Sequence, residues 1–104
     1  MNLELTILSN LVYNERYARK VLPFLKAEYF TDKSHKIIFL EIHEYISQYD
    51  SLPSLNALSI ECQERVDLTD EQFQTILEIL NVLSDDTSDY DWIVDTTEKW
   101  CQER

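Results

Sequence analysis

The side chains with chemical potential in this chain are two histidines, two cysteines and twenty carboxylates. His35 and His43 are eight residues apart in one amphipathic segment, and a helix would not bring their rings to one metal ion. His35 falls on the apolar side, where we expect a neighbouring backbone group to satisfy it rather than a metal. The carboxylates fall mostly on polar helix positions and indicate a solvated surface. We predict no catalytic residue and no metal site.

The cysteines and the hydropathy pattern indicate the cellular compartment. Cys62 and Cys101 have no second cysteine nearby for a redox pair or zinc knuckle, so we expect reduced, buried thiols. A disulfide between them is the alternative. No apolar run approaches the roughly 20 residues of a membrane helix, and no basic stretch precedes the first apolar residues. The sequence therefore predicts a cytoplasmic protein that does not associate with a membrane.

The chain of 104 residues contains no glycine and only two prolines. Loops that hold phosphates, dinucleotides or calcium need glycine where the backbone takes a positive φ or approaches a ligand closely. Those loops are excluded, and we expect no cofactor. Tight β-hairpin turns also need such residues. With 44% hydrophobic residues available for a core, the composition predicts one all-α domain over residues 1–104.

Hydrophobic spacing and capping residues predict a compact bundle of about six short helices. The longest, about Asp32 to Tyr49, has one apolar stripe and carries Ile37 and Leu40 on its opposite side. Thr69 and Gln72 predict a capping box. The other helices are expected over about Asn2–Tyr13, from Asn14 to Pro23, from near Ser54, after Thr69, and from near Tyr90.

Two further expectations concern the last helix and the aromatic residues. Trp92, Ile93, Thr96 and Trp100 are predicted to lie together on one side, and no C-capping residue precedes Arg104. The chain is therefore expected to end within a helix. Aromatic residues recur at helical spacing, which favours core packing over a surface for stacking bases. Those expected in the core include Tyr17, Tyr45, Tyr49, Phe73, Trp92 and Trp100. The alternative for Tyr13, Tyr90 and one or both tryptophans is a partly exposed position that contacts a protein partner.

The formal charge of −11 argues against direct nucleic-acid binding, since DNA-binding surfaces are basic. The charge is unevenly distributed along the chain. From Arg16 to Lys36 there are six basic and two acidic residues, whereas from Glu61 to Asp95 there are one basic and eleven acidic residues. This asymmetry predicts contacts in which a basic surface of one molecule meets an acidic surface of another.

Four stretches resemble the N-terminal domains of DnaB-type replicative helicases. Glu28–Phe30 and His35–Phe39 are similar to that family's acidic-aromatic and His-basic-x-Ile-Phe patterns. Pro53–Leu58 and Trp92–Arg104 resemble the helicases of T-even-like phages. The order and spacing of the four stretches extend from about Leu5 to the last residue. The resemblance implies an N-terminal head domain with the fold of that family.

The family resemblance also implies what would lie outside this chain. Members carry a RecA-like ATPase domain and act as hexameric, ATP-dependent 5'-3' DNA helicases, with ATP and Mg as the parent protein's cofactors. We expect this chain to be truncated before a dimerising hairpin and the ATPase domain, and to have no enzymatic activity itself. The implied partners are other helicase subunits and a phage primase, in the cytoplasm of an infected bacterium.

We predict that the domain helps to assemble the ring's collar and docks primase through exposed charged and aromatic residues. The alternative is a stand-alone acidic protein that mimics DNA, or an adaptor, bound to a basic host protein. Candidate interface residues are Arg16, Arg19, Lys20, Ile37, Leu40, Tyr90, Trp92 and Trp100.

The absence of glycine leads to a direct test of enzymatic activity. The purified chain is expected to hydrolyse no ATP, because no loop in it can hold the phosphates. Release of inorganic phosphate is the measurement, with a buffer blank as the control. ATP hydrolysis that co-purifies with the chain and exceeds the blank would contradict the prediction that the chain has no enzymatic activity.

Overall fold

Every α-helix in this protein begins after a short polar residue whose side chain accepts a first-turn backbone N–H. The computed structural model describes residues 2–104. Within this range the caps are Asn2, Asn14, Asp32, Ser54, Thr69 and Asp89. Such caps satisfy amide groups that have no partner within the helix. They start α1 (Leu3–Tyr13), α2 (Glu15–Val21), α3 (Lys33–Tyr49), α4 (Leu55–Gln63), α5 (Asp70–Val82) and α6 (Tyr90–Gln102).

The predicted all-α fold is confirmed for residues 2–104, which contain these six helices, a 3₁₀ turn at Ala27–Tyr29 and no strand. The capping box is present, since Thr69 and Gln72 each accept the other's backbone N–H. Pro23 lies just beyond α2, which ends at Val21, so the predicted termination is correct. No helix in the described range is long and apolar enough to cross a membrane.

Helix α3 lies at the centre and contacts α1, α4, α5 and the 3₁₀ turn. Its buried apolar residues, Ile37, Ile38, Phe39 and Ile42, occupy more than one side of the helix. Ile38, Phe39 and Ile42 of the predicted stripe are buried, and the second apolar strip is partly covered. Ile37 is buried, and Glu41 one turn later receives a hydrogen bond from Arg65, just after α4. Leu40, at 42% exposure, remains accessible.

Helix α6 packs against α2. Because of this contact, the buried side of α6 differs from the one that the sequence predicted. The buried residues are Ile93, Val94, Thr97 and Trp100. Tyr17 and Thr97 share a buried hydrogen bond of 2.7 Å between their hydroxyl oxygens. Trp92 lies about 140° from Thr97 around the helix and is 49% exposed. The prediction that Trp92 belongs to the buried side is therefore wrong.

Other expectations also need correction at the edges of the core. Tyr49, in the last turn of α3, is exposed and packs on Tyr45, with ring centres 4.7 Å apart. Phe73 and Tyr45 are only partly buried, whereas Tyr17 and Trp100 are buried as predicted. Both cysteines are free thiols; Cys62 is buried, but Cys101 is half-buried.

The capping box at α5 provides a test of how the fold is stabilised. Replacing Thr69 with alanine should lower the free energy of unfolding by about 1 kcal/mol, because it removes the side-chain acceptor for the Gln72 N–H. Urea denaturation followed by circular dichroism is the measurement. Thr75→Ala is the matched control, since the Thr75 hydroxyl only bonds to Glu71 within the exposed part of the helix. Equal losses in the two variants would contradict the capping role.

Candidate interaction surface

A buried carboxylate–histidine pair joins the starts of α1 and α3. Glu4 Oε1 lies 2.8 Å from His35 Nδ1, and both side chains are almost fully buried. Glu4 Oε2 accepts from the Thr31 backbone N–H at 3.0 Å and from the Thr31 hydroxyl at 2.8 Å. Because an ionised carboxylate only accepts, His35 Nδ1 must carry the hydrogen. We call these three residues the Glu4 cluster.

The Glu4 cluster corrects the expectation for His35. Its partner is the carboxylate of a residue 31 positions away in sequence, not a neighbouring backbone group. Burial acts to raise the pKa of Glu4, but the hydrogen bonds from His35 and Thr31 outweigh it and hold that pKa below its usual value. The cluster is fully occupied by internal contacts, so its role is to fix the fold around α3.

Arg19, one of the predicted interface residues, forms hydrogen bonds within the domain. Its Nη1 donates to Asp50 Oδ1 and its Nη2 donates to the Asp50 carbonyl, each at 2.9 Å. Asp50 caps α3 with a φ of 53°, in the left-handed region. The last carbonyls of a helix have no intrahelical partner. Arg19 therefore links α2 to the end of α3 and helps to hold the turn there.

Arg16 and Tyr90, two further candidates, contact each other. The Arg16 guanidinium carbon lies 3.7 Å from the centre of the Tyr90 ring, a cation–π geometry. This contact connects α2 to the first residue of α6. The basic and acidic regions of the sequence thus meet in space at this point. Arg16 remains exposed, and its charge can still act on an approaching molecule.

The remaining candidates divide into accessible and buried side chains. Lys20 is exposed and forms no ion pair within residues 2–104. Leu40 and Trp92 are about half exposed. Ile37 and Trp100 are each only 5% exposed. Ile37 lies on α3, which packs against α1, α4 and α5, and Phe30 and Tyr29 pack on Trp100. Those two residues form part of the core and cannot be surface contacts of this domain as described.

A shallow groove that the sequence did not reveal runs between the end of α2 and the second half of α3. It has a volume of about 320 Å³ and is lined by Arg19, Leu22, Pro23, His43, Ile46 and Ser47. Leu22, Pro23 and Ile46 make its surface mainly apolar. The signal in the sequence was limited to apolar residues around a proline, which do not by themselves distinguish a core from a groove. We call it the α2–α3 groove.

The other titratable clusters are structural. Arg65 donates to Glu41 at 2.6 Å and to Asp67 at 2.9 Å, which ties α3 to the loop after α4. Burial raises the pKa of the Cys62 thiol to about 11, so this thiol is protonated and unreactive at neutral pH. No group of three or more histidine, cysteine or acidic side chains in residues 2–104 could hold a metal ion.

Comparison with known proteins agrees with this helical architecture. Residues 1–95 match the model of the DnaB-like helicase N terminal domain. The chain belongs to this family. It is also 34% identical over 98 residues to the DnaB-like replicative helicase of Enterobacteria phage T4. That alignment covers 94% of this chain and 20% of the T4 protein, so the chain spans about a fifth of its relative's length.

Membership in the DnaB N-terminal domain family confirms the resemblance seen in the four sequence stretches. Two of those stretches contribute to the core directly. Phe30 packs on Phe39 with ring centres 5.2 Å apart, and His35 belongs to the Glu4 cluster. Both contacts help to position α3. Glu4 itself was missed, because a lone acidic residue in a first helical turn is typical of a solvated helix start.

The Glu4 cluster leads to a prediction about stability and pH. Glu4→Gln should lower the free energy of unfolding by about 1 to 3 kcal/mol at pH 7, since a buried amide cannot replace both accepting oxygens. Folding lowers the pKa of Glu4, so the carboxylate adds stability above its ordinary pKa of 4.5, and this is lost as the pH falls through the folded value. Chemical denaturation between pH 3 and pH 7 is the measurement.

The matched control for this experiment is Glu78→Gln, which removes one carboxylate from an exposed position of α5. Its unfolding free energy should stay within about 0.5 kcal/mol of the wild type. If the Glu4 and Glu78 variants had the same stability and the same acid dependence, the buried carboxylate would not be contributing as described.

Proposed function

We propose that this chain is the N-terminal head of a phage replicative helicase, where it helps to shape the ring's collar and docks primase. The observation that carries the proposal is its membership in the DnaB N-terminal domain family, supported by its likeness to a replicative helicase of phage T4. This evidence favours the helicase-head hypothesis over the DNA mimic or adaptor. The proposed setting is the cytoplasm of an infected bacterium.

In this proposal the head supplies binding surfaces, and the catalytic work belongs to another part of the protein. Within residues 2–104 the buried Glu4 cluster and Arg65 are held by contacts inside the domain. No group of three or more histidine, cysteine or acidic side chains in this range could hold a metal ion. The chain also lacks the glycines of a phosphate-binding loop. Unwinding of DNA with ATP and Mg would therefore depend on a separate ATPase domain of the full-length helicase, in a hexameric ring.

Collar assembly requires a surface of one head that fits a different surface of the next head. Lys20 lies next to Arg19 at the exposed end of α2 and has no internal ion pair within residues 2–104. Acidic side chains are exposed in the loop between α5 and α6, at Asp85 and Asp86, and in the first turn of α6, at Asp91. Opposite charges on the two surfaces would favour a contact between different surfaces of neighbouring domains, which can repeat around a ring.

Lys20 gives the cleanest test of collar assembly, because charge reversal at Arg16 or Arg19 would also break an internal contact. In the full-length helicase, Lys20→Glu should weaken ring assembly roughly two- to tenfold at low salt, since an attraction becomes a repulsion. Sedimentation velocity over a dilution series is the measurement. Lys99→Glu is the control, because it makes the same charge change at an exposed position of α6. Equal effects of both variants would count against the proposed surface.

Primase docking has its own test. Light scattering measures the mass of this chain in solution. When the matching primase is added, this mass should rise by the mass of one primase molecule or primase fragment. The acid-rich protein should not bind single-stranded DNA under the same conditions, because its net charge repels phosphate. Unchanged mass at concentrations well above micromolar would rule out direct docking by this domain alone.

A further inference from the structure

The α2–α3 groove is a mainly apolar surface that no residue in the described range 2–104 covers. Leu22, Pro23 and Ile46 form its floor. Leu40 lies one turn before His43 on α3 and is 42% exposed, so the accessible apolar surface continues along the helix. An uncovered apolar surface of this kind commonly marks a contact site for another molecule.

Charged residues next to the groove favour an acidic occupant. Arg19 lines the groove, exposed Lys20 is its neighbour in the chain, and partly buried Lys36 lies one turn before Leu40. Arg19 is already paired with Asp50 and Glu15. Lys20 and Lys36, by contrast, form no ion pair within residues 2–104. An apolar side chain accompanied by carboxylates would match this surface in both polarity and charge.

A side chain of that kind is present on the acidic side of the same molecule. Trp92 is 49% exposed, and Asp89, Asp91 and Asp95 stand within one turn of it. All three of these carboxylates are exposed. Tryptophan buries a large area at little entropic cost and is enriched among the residues that dominate interface energies.

Trp92 lies on the side of α6 opposite to the residues that contact α2, the helix at which the groove of the same molecule begins. Helix α6 presents Tyr90 and Thr97 to α2, where they contact Arg16 and Tyr17. Trp92 is about 160° away from Tyr90 around the helix, on the side that faces away from α2. We therefore expect a Trp92 that fills the groove to come from another molecule.

From this complementarity we infer that Trp92 of one copy inserts into the α2–α3 groove of a second copy of this chain. The inference rests on the proposed collar function and specifies its contact. Its asymmetry, with a tryptophan on one surface and a groove on the other, allows each head to use both surfaces with different neighbours. Repetition of such a contact closes a ring when the rotation between the copies permits it.

Site-directed cross-linking tests the contact. A Ser47→Cys variant is mixed with an Asp95→Cys variant, both carrying Cys101→Ser, and treated briefly with a short bis-maleimide at neutral pH. Ser47 lines the groove, and Asp95 is exposed one turn beyond Trp92. Cys62 is left in place, because its buried thiol stays protonated. We expect a Ser47–Asp95 heterodimer in clear excess over a control pair in which Glu71→Cys replaces Asp95→Cys.

A second set of variants identifies Trp92 as the inserted residue. Adding Trp92→Ala to the Asp95→Cys chain should reduce the heterodimer to the control level. Adding Val82→Ala, which removes another exposed apolar side chain, should leave it unchanged. High salt should lower the yield, since screening weakens the contribution of the carboxylates.

Three results would overturn the inference. They are a heterodimer yield equal to the Glu71 control, a yield that does not change with Trp92→Ala, and an equal loss with Val82→Ala. Any of these results, combined with weaker ring assembly for Lys20→Glu, would reject the Trp92 contact and leave the collar function standing. If Lys20→Glu also had no effect on the ring, the collar function would fail as well.

Discussion

Helix α3 must bury apolar side chains on more than one side, and the arrangement of the other elements follows from that requirement. Ile38 and Ile42 are fully buried, and Ile37 is nearly so. Helix α1, the 3₁₀ turn, α4 and α5 all contact α3. Helix α6 is held by α2 and by the packing of Trp100 on Tyr29 and Phe30. Burial of apolar surface is non-directional. It stabilises the packing of these helices around α3 but does not determine their relative orientation.

Directional contacts supply the alignment. The Glu4 cluster fixes the starts of α1 and α3 relative to each other, Arg19 fixes the end of α2 on the end of α3, and the Tyr17–Thr97 hydrogen bond fixes α2 on α6. A buried polar group without a partner is costly, so the Glu4–His35 and Tyr17–Thr97 contacts each favour one arrangement of their helices over the alternatives. The Arg19–Asp50 contact lies at the surface and contributes less. All three connect residues that are far apart in the chain.

The same contacts decide which charges remain for partners. Arg19 is held by a carboxylate and a carbonyl within the domain. Its charge therefore contributes less to contacts with another protein. Lys20, its neighbour, has no such internal role in the described part of the chain. The proposed collar contact therefore depends on a few accessible residues around the α2–α3 groove and Trp92, rather than on the whole basic and acidic regions.

The sequence by itself determined the helices, because caps such as Thr69 and Asn14 and apolar spacing act over a few residues. It also determined the family, through stretches such as His35–Phe39. Only the tertiary structure decided that Glu4 is the partner of His35, that Ile37 and Trp100 are buried, and that Trp92 is exposed. The direction in which a helix meets its neighbours depends on packing between distant residues, and periodicity along one helix does not contain that information.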